Sequence, residues 1–310
     1  MKKIFLIVFL IFTINVFSLK VGITQIIEHP ALNLIYEGIV DKLQEENIEI
    51  EVDYQNAQGL FQNAVIIAKK FNLECDYIIA ITTPSAQAAK TEIKEKPLIF
   101  SAINDPIGAG LIEHYGKNNG NIAGISDMLP VETHLKLIKK VSPQAKNIAI
   151  LYNPGEANSV LLVKKAKKIS KNLDQNILDI TGTNINEMIT SINSNLNKID
   201  AVYLITDNLA ASGIEIISDI FYENKIPIFS SDIDMAKKSA VIGFGFDYYT
   251  FGKATADMLI ELIDGKNIKE IESKLIDSKY LKLYINLSRA ENCDIKISKK
   301  FLDNADMIQK

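Results

Sequence analysis

Histidine, cysteine and phosphate-binding glycine loops are scarce or missing in this chain of 310 residues, and each shortage closes off a chemistry. The three histidines, His29, His114 and His134, lie far apart, without the spacing of a metal site. No G-x-S-x-G elbow, P-loop or dinucleotide fingerprint occurs, and no acid pair stands out for glycoside chemistry. No enzyme activity, cofactor or metal is therefore expected. The two cysteines, Cys75 and Cys293, could pair in an oxidising compartment but make no disulfide framework. Cys75 directly precedes a strand pattern and reads as a small packing residue. Excess positive charge is also missing: a formal net charge of -4 gives no electrostatic case for nucleic acid or anionic lipid.

What is present begins with a hydrophobic leader, "MKKIFLIVFLIFTINVFSLK". Lys2 and Lys3 form a positive start, Ile4 to Phe12 an apolar core, and Val16 and Ser18 fit a cleavage site after Ser18. Asn15 and the short apolar run argue against a retained anchor. Residues 1–18 are thus read as a signal peptide, whose removal takes two lysines and gives a charge of -4 - 2 = -6. With no cysteine near the cleavage site, the expectation is a diffusible periplasmic protein without a lipid anchor.

From Lys20 onward, short apolar runs alternate with helical patterns. "VGITQII", "IEVDYQ", "DYIIAIT" and "PLIFSAI" read as strands, separated by helices at 30–46, 60–71 and 84–94. The rhythm restarts after Val141 with "NIAILYN", "NILDIT", "DAVYLIT", "IPIFSS" and "AVIGFGF". Helices fall near 156–173, 186–192, 209–223 and 248–264, and a last strand spans about 280–287. Such alternation implies βαβ crossovers and buried parallel sheets. The halves also echo each other: Asp76 precedes Thr82 by six residues as Asp200 precedes Thr206, and "KPLIFS" is matched by "IPIFS". The fold expected is α/β, with two doubly wound parallel-sheet lobes and a ligand cleft at the carboxyl ends of their strands.

The strand ends offer mostly neutral polar groups: Gln25, Thr83, Ser85, Asn104 and Asp105 in the first half, then Tyr152, Asn158, Ser159, Asp207, Asn208 and Asp232. In "TTPSAQ", Thr83 is a natural N-cap and Pro84 suits the first helical position. The amides of Ser85 and Ala86 would then project from a helix start that favours negative charge. Aligning Thr82 with Thr206 sets Asp207 opposite Thr83, so an anion site in one half faces an acid in the other. A zwitterion would bridge them. Capping alone also accounts for Thr83 and Asp207, a turn for "NDP" at 104–106, and both readings stay open. Tyr36, Phe61, Tyr152, Phe244 and Phe246 are candidate stacking partners for an aromatic ligand.

"QIIEHPALN", "DYQNAQG", "TTPSAQAA", "NDPIGAGLI", "LYNPGEANS", "TDN" and "IPIFSSD", in this order, resemble the tryptophan/tyrosine-type ABC transporter substrate-binding proteins of the type I periplasmic-binding-protein fold. The resemblance runs from about Lys20 to Asn292. It implies a receptor, here a monomer, that closes on an amino acid, an aromatic one, and docks on an ABC permease with its ATPase. A nucleoside, sugar or other small polar ligand is the alternative. It also implies three crossings between lobes, near 124–128, 246–248 and 279. The N-terminal lobe then comprises 19–125 plus about 248–278, and the C-terminal lobe 126–247 plus about 279–310. Many relatives carry a lipoprotein cysteine after the signal; this chain does not.

Overall fold

The computed structural model describes residues 19–28, 30–128, 131–277 and 280–310. The signal-peptide reading of 1–18, His29 and the crossing point at Lys279 lie outside them. The first half contributes β1 (Lys20–Gln25), α1 (Pro30–Glu45), β2 (Glu51–Asn56), α2 (Phe61–Glu74), β3 (Tyr77–Ile81), α3 (Thr83–Glu92), β4 (Leu98–Ser101), β5 (Gly116–Lys117) and β6 (Ile122–Ser126). After α4 (Val131–Val141) come β7 (Asn147–Tyr152), α5 (Ala157–Ser170), β8 (Asn176–Thr181), α6 (Ile185–Asn193), β9 (Ala201–Leu204), α7 (Asn208–Ser212) and α8 (Ile214–Glu223). β10 (Ile228–Ser230), α9 (Ile233–Ser239), β11 (Ile242–Phe246), α10 (Tyr248–Ile263), β12 (Glu272–Leu275), β13 (Leu281–Asn286), α11 (Leu287–Asn292), α12 (Lys299–Asp303) and β14 (Met307–Gln309) follow.

Two seven-stranded sheets result, ordered β2-β1-β3-β4-β6-β12-β5 and β14-β13-β11-β10-β9-β7-β8. Both are mainly parallel, as continuous apolar strands such as Tyr77–Ile81 demand when helices cover both faces. Antiparallel pairs occur near the edges, where β13 meets β11 and β5 meets β12. Sheet membership takes the chain from one sheet to the other after β6, after β11 and after β12. Each sheet has its own buried core, and the first core includes Phe251, Met258 and Leu259 of α10. α10 therefore packs with the first sheet although it follows a strand of the second.

Glycine explains how α10 reaches that place. A Cβ on Gly38 of α1 would stand 2.1 Å from the Tyr249 carbonyl oxygen, and one on Gly252 would stand 2.2 Å from that of Ile35. The two helices approach backbone to backbone, which only these glycines permit. Ser101 and Thr255 share a buried hydroxyl bond of 2.8 Å, fastening α10 to β4. The single helix expected over 209–223 is divided at Gly213, where a Cβ would press within 2.4 Å of Ile185 Cδ1. Cys75 and Cys293 are both free thiols.

Candidate functional site

Strand β3 ends in a residue with unusual backbone geometry. Thr82 has φ 75° and ψ 159°, a region that is nearly glycine's alone and costs a threonine about 1–3 kcal/mol. Its amide still donates to the Ser101 carbonyl at 3.0 Å, so the sheet holds the turn in place. The helix begins directly after it, which corrects the expected capping: Thr82 is the N-cap, Thr83 the first helical residue and Pro84 the second. Ala86 closes the first turn with its amide on the Thr82 carbonyl at 3.1 Å, so Ala86 offers no free donor. The amides of Thr83 and Ser85 precede that bond and have no intrahelical acceptor. Ser85 Oγ and Thr82 Oγ1 are buried without partners among the described residues.

This turn forms one wall of a pocket between the two sheets. Thr82, Thr83, Ala102 and Asn104 line it from the first sheet's strand ends, and Ala31 and Leu32 from α1. Asn158, Thr206, Asp207, Asn208, Ala211, Asp232 and Met235 face them, with Asp127 and Tyr248 beside the crossings. Asn104 and Thr206 bond directly across the cleft: Nδ2 donates to Oγ1 at 2.9 Å, and Oγ1 donates to Oδ1 at 3.2 Å.

The pocket's lining includes three buried carboxyl groups, Asp127, Asp207 and Asp232, and no lysine, arginine or histidine. Asp207 caps α7: Oδ1 accepts from the Ala210 amide at 2.8 Å, while Oδ2 accepts from the Asn153 amide at 2.8 Å and the Ser159 hydroxyl at 2.7 Å. Asp232 caps α9 by accepting from the Met235 amide at 2.7 Å. Among the described residues, Asp127 Oδ2 accepts from the Tyr248 hydroxyl at 2.8 Å and Oδ1 has no partner. Burial pushes Asp127 up to about 6. Burial, then the nearby Asp234 charge, pushes Asp232 up to about 7. Behind the wall, Glu156 accepts from the Asn208 side chain and amide, and burial raises both it and Asp207. An uncompensated cluster of this kind favours a cation from outside.

Six of the twelve sequence candidates meet at the pocket: Thr83, Asn104, Asn158, Asp207, Asn208 and Asp232. Ser159 stands behind it on Asp207. Gln25, fully buried, donates instead to the Ile27 carbonyl and to Asn33 Oδ1, both at 3.1 Å. Asp105 turns onto its own loop, accepting from the Gly108 amide at 2.9 Å, and borders a separate surface groove with Lys164. Ser85, Ala86 and Tyr152 are not in the lining either, nor are Tyr36, Phe61, Phe244 and Phe246. Tyr36 packs at a tilt against Tyr54 within the first lobe, ring centroids 4.4 Å apart. The aromatic ring that does reach the pocket is Tyr248.

The family profile described as ABC transporter substrate binding protein matches residues 20–309. The chain belongs to this family. A tyrosine-binding protein of Clostridioides difficile is 35% identical over 263 residues, covering 83% of this chain and 76% of the relative. A Streptococcus pneumoniae domain solved with L-Trp superposes with a TM-score of 0.89 at 29% identity, covering 94% of this chain and 99% of that one. The ligand-free, open structure of a substrate-binding protein with adhesive properties from Clostridium difficile gives 0.68 at 32% identity, covering 94% and 100%. Solute-binding proteins of 12–14% identity share the type I fold alone. The family is one of non-enzymatic transport components.

Proposed function

We propose that this substrate-binding protein captures an amino acid, an aromatic one, between its lobes and delivers it to an ABC permease. One observation carries the reading: buried carboxyls without a basic partner stand in the same pocket as the free amides at the start of α3. A molecule with an ammonium at one end and a carboxylate at the other satisfies both. The carboxylate meets the Thr83 turn, Asn104 and Asn158, where the helix start favours negative charge. The side chain lies along Ala31, Leu32, Ala211, Met235 and the Tyr248 ring, whose small alanines leave room for a flat ring. The tyrosine named for one relative and the L-Trp bound by another support the aromatic choice.

The leader at 1–18 supports export, and among the described residues no helix is long and apolar enough to cross a membrane. The chain contains no tryptophan, so indole fluorescence reports added L-tryptophan alone. Titration of the mature protein with L-tryptophan, followed by competition with L-tyrosine, L-leucine, glucose and adenosine, tests the reading. Displacement by L-tyrosine and not by the sugar or nucleoside is expected. Calorimetric binding of glucose or adenosine with no amino-acid response would overturn it.

A further inference from the structure

The three pocket acids are not equivalent. Asp207 already receives two amides and a hydroxyl, and Asp232 receives the first turn of its own helix. Both therefore have backbone donors whether or not a ligand is present. Asp127 receives, among the described residues, one side-chain hydroxyl. It follows β6 on the first crossing between the sheets, is 1% exposed, and lines the pocket with Oδ1 unpartnered among the described residues. Its other oxygen takes the hydroxyl of Tyr248, the first residue of α10, just past the second crossing. One carboxyl group thus touches the ligand cavity and ties two of the crossings together.

We propose that Asp127 is the anchor for the ligand's ammonium group, and that its bond to Tyr248 couples ligand arrival to lobe closure. This deepens the amino-acid reading and rests on it. A buried carboxyl with a single hydroxyl donor is poorly solvated, and an ammonium supplies both the missing donor and the missing charge. Asp232 lines the same pocket but already accepts from the Met235 amide. An ammonium on Oδ1 fixes the orientation of the Asp127 carboxyl, and with it the bond that Oδ2 accepts from Tyr248. The crossings on either side of that bond are then drawn together when the pocket fills, and released when it empties.

Calorimetry with L-tyrosine and its des-amino analogue, 3-(4-hydroxyphenyl)propionate, isolates the ammonium contact. The wild-type protein should prefer L-tyrosine by about 100-fold or more. Asp127→Asn should shrink that preference to about tenfold or less, Asp127→Ala should do the same if the amide fails to fold, and Asp232→Asn should keep most of it. A wild-type preference in both Asp127 variants would overturn the anchor assignment. Tyr248→Phe should keep the preference while reducing the contraction in radius of gyration that L-tyrosine causes in small-angle scattering. Full contraction in Tyr248→Phe would overturn the coupling. If the wild-type protein binds neither L-tyrosine nor L-tryptophan, the amino-acid reading itself fails.

Discussion

Raising the pH should destabilise the empty cleft, and neutralising Asp127 should remove that residue's share of the effect. An aspartate in an unfolded chain titrates near 3.9, whereas burial holds folded Asp127 at about 6. The folded carboxyl keeps its proton more tightly, so its contribution is complete below about pH 4 and is lost as pH rises through about 6. A shift of about two units corresponds to about 3 kcal/mol. Urea denaturation of ligand-free wild type and Asp127→Asn at pH 4.5, 5.5, 6.5 and 7.5 measures it. Subtracting the two curves cancels other carboxylates such as Asp53, whose value is lowered and whose stabilisation runs the other way. Wild type minus Asp127→Asn should fall by about 2 kcal/mol over this window and level off above about pH 7. Ligand affinity runs in the opposite sense, because an ammonium requires the ionised acid. The dissociation constant for L-tyrosine should rise about tenfold per unit below pH 6. A pH-independent stability difference together with a flat affinity profile would refute the argument.

Other expectations follow from the packing and the caps. Asp207→Ala should cost about 2–4 kcal/mol of stability by urea denaturation, since it strips a helix cap and leaves the Asn153 amide and Ser159 hydroxyl unpaired. Gly38→Ala or Gly252→Ala should cost at least about 2 kcal/mol in the same assay, because the added carbon meets backbone rather than a movable side chain. Thr82→Gly should raise ligand-free stability by about 1 kcal/mol through relief of backbone strain, yet weaken ligand binding in calorimetry. Asn104→Ala removes a direct bond between the lobes and should weaken L-tyrosine binding about fivefold, with the lobes more open in scattering.

Much of the architecture is written in local patterns. Apolar runs of strand length between helical periods specify two α/β lobes, and the echo of Asp76–Thr82 in Asp200–Thr206 places their strand ends together. Residues at those ends, Asn104, Asn158, Asp207, Asn208 and Asp232, could be picked as pocket candidates because topology brings strand carboxyl ends to one face. Roles within the pocket were less legible, since a cap and a ligand contact use the same residue types. Asp207 proves to be a cap as well as a lining residue, and Thr83 yields its capping place to the strained Thr82.

Asp127 and Tyr248 carry no local signal at all. One follows a short strand in a loop and the other opens a helix after the second sheet, 121 positions apart in sequence. Only the return of α10 to the first sheet sets the phenol against the carboxyl. Sequence by itself determined the lobes and the class of polar groups at the cleft, because those depend on periodicity and on residues near in the chain. Tertiary structure alone decided which acid is left unpartnered, because that depends on which donors the packed helices bring within reach.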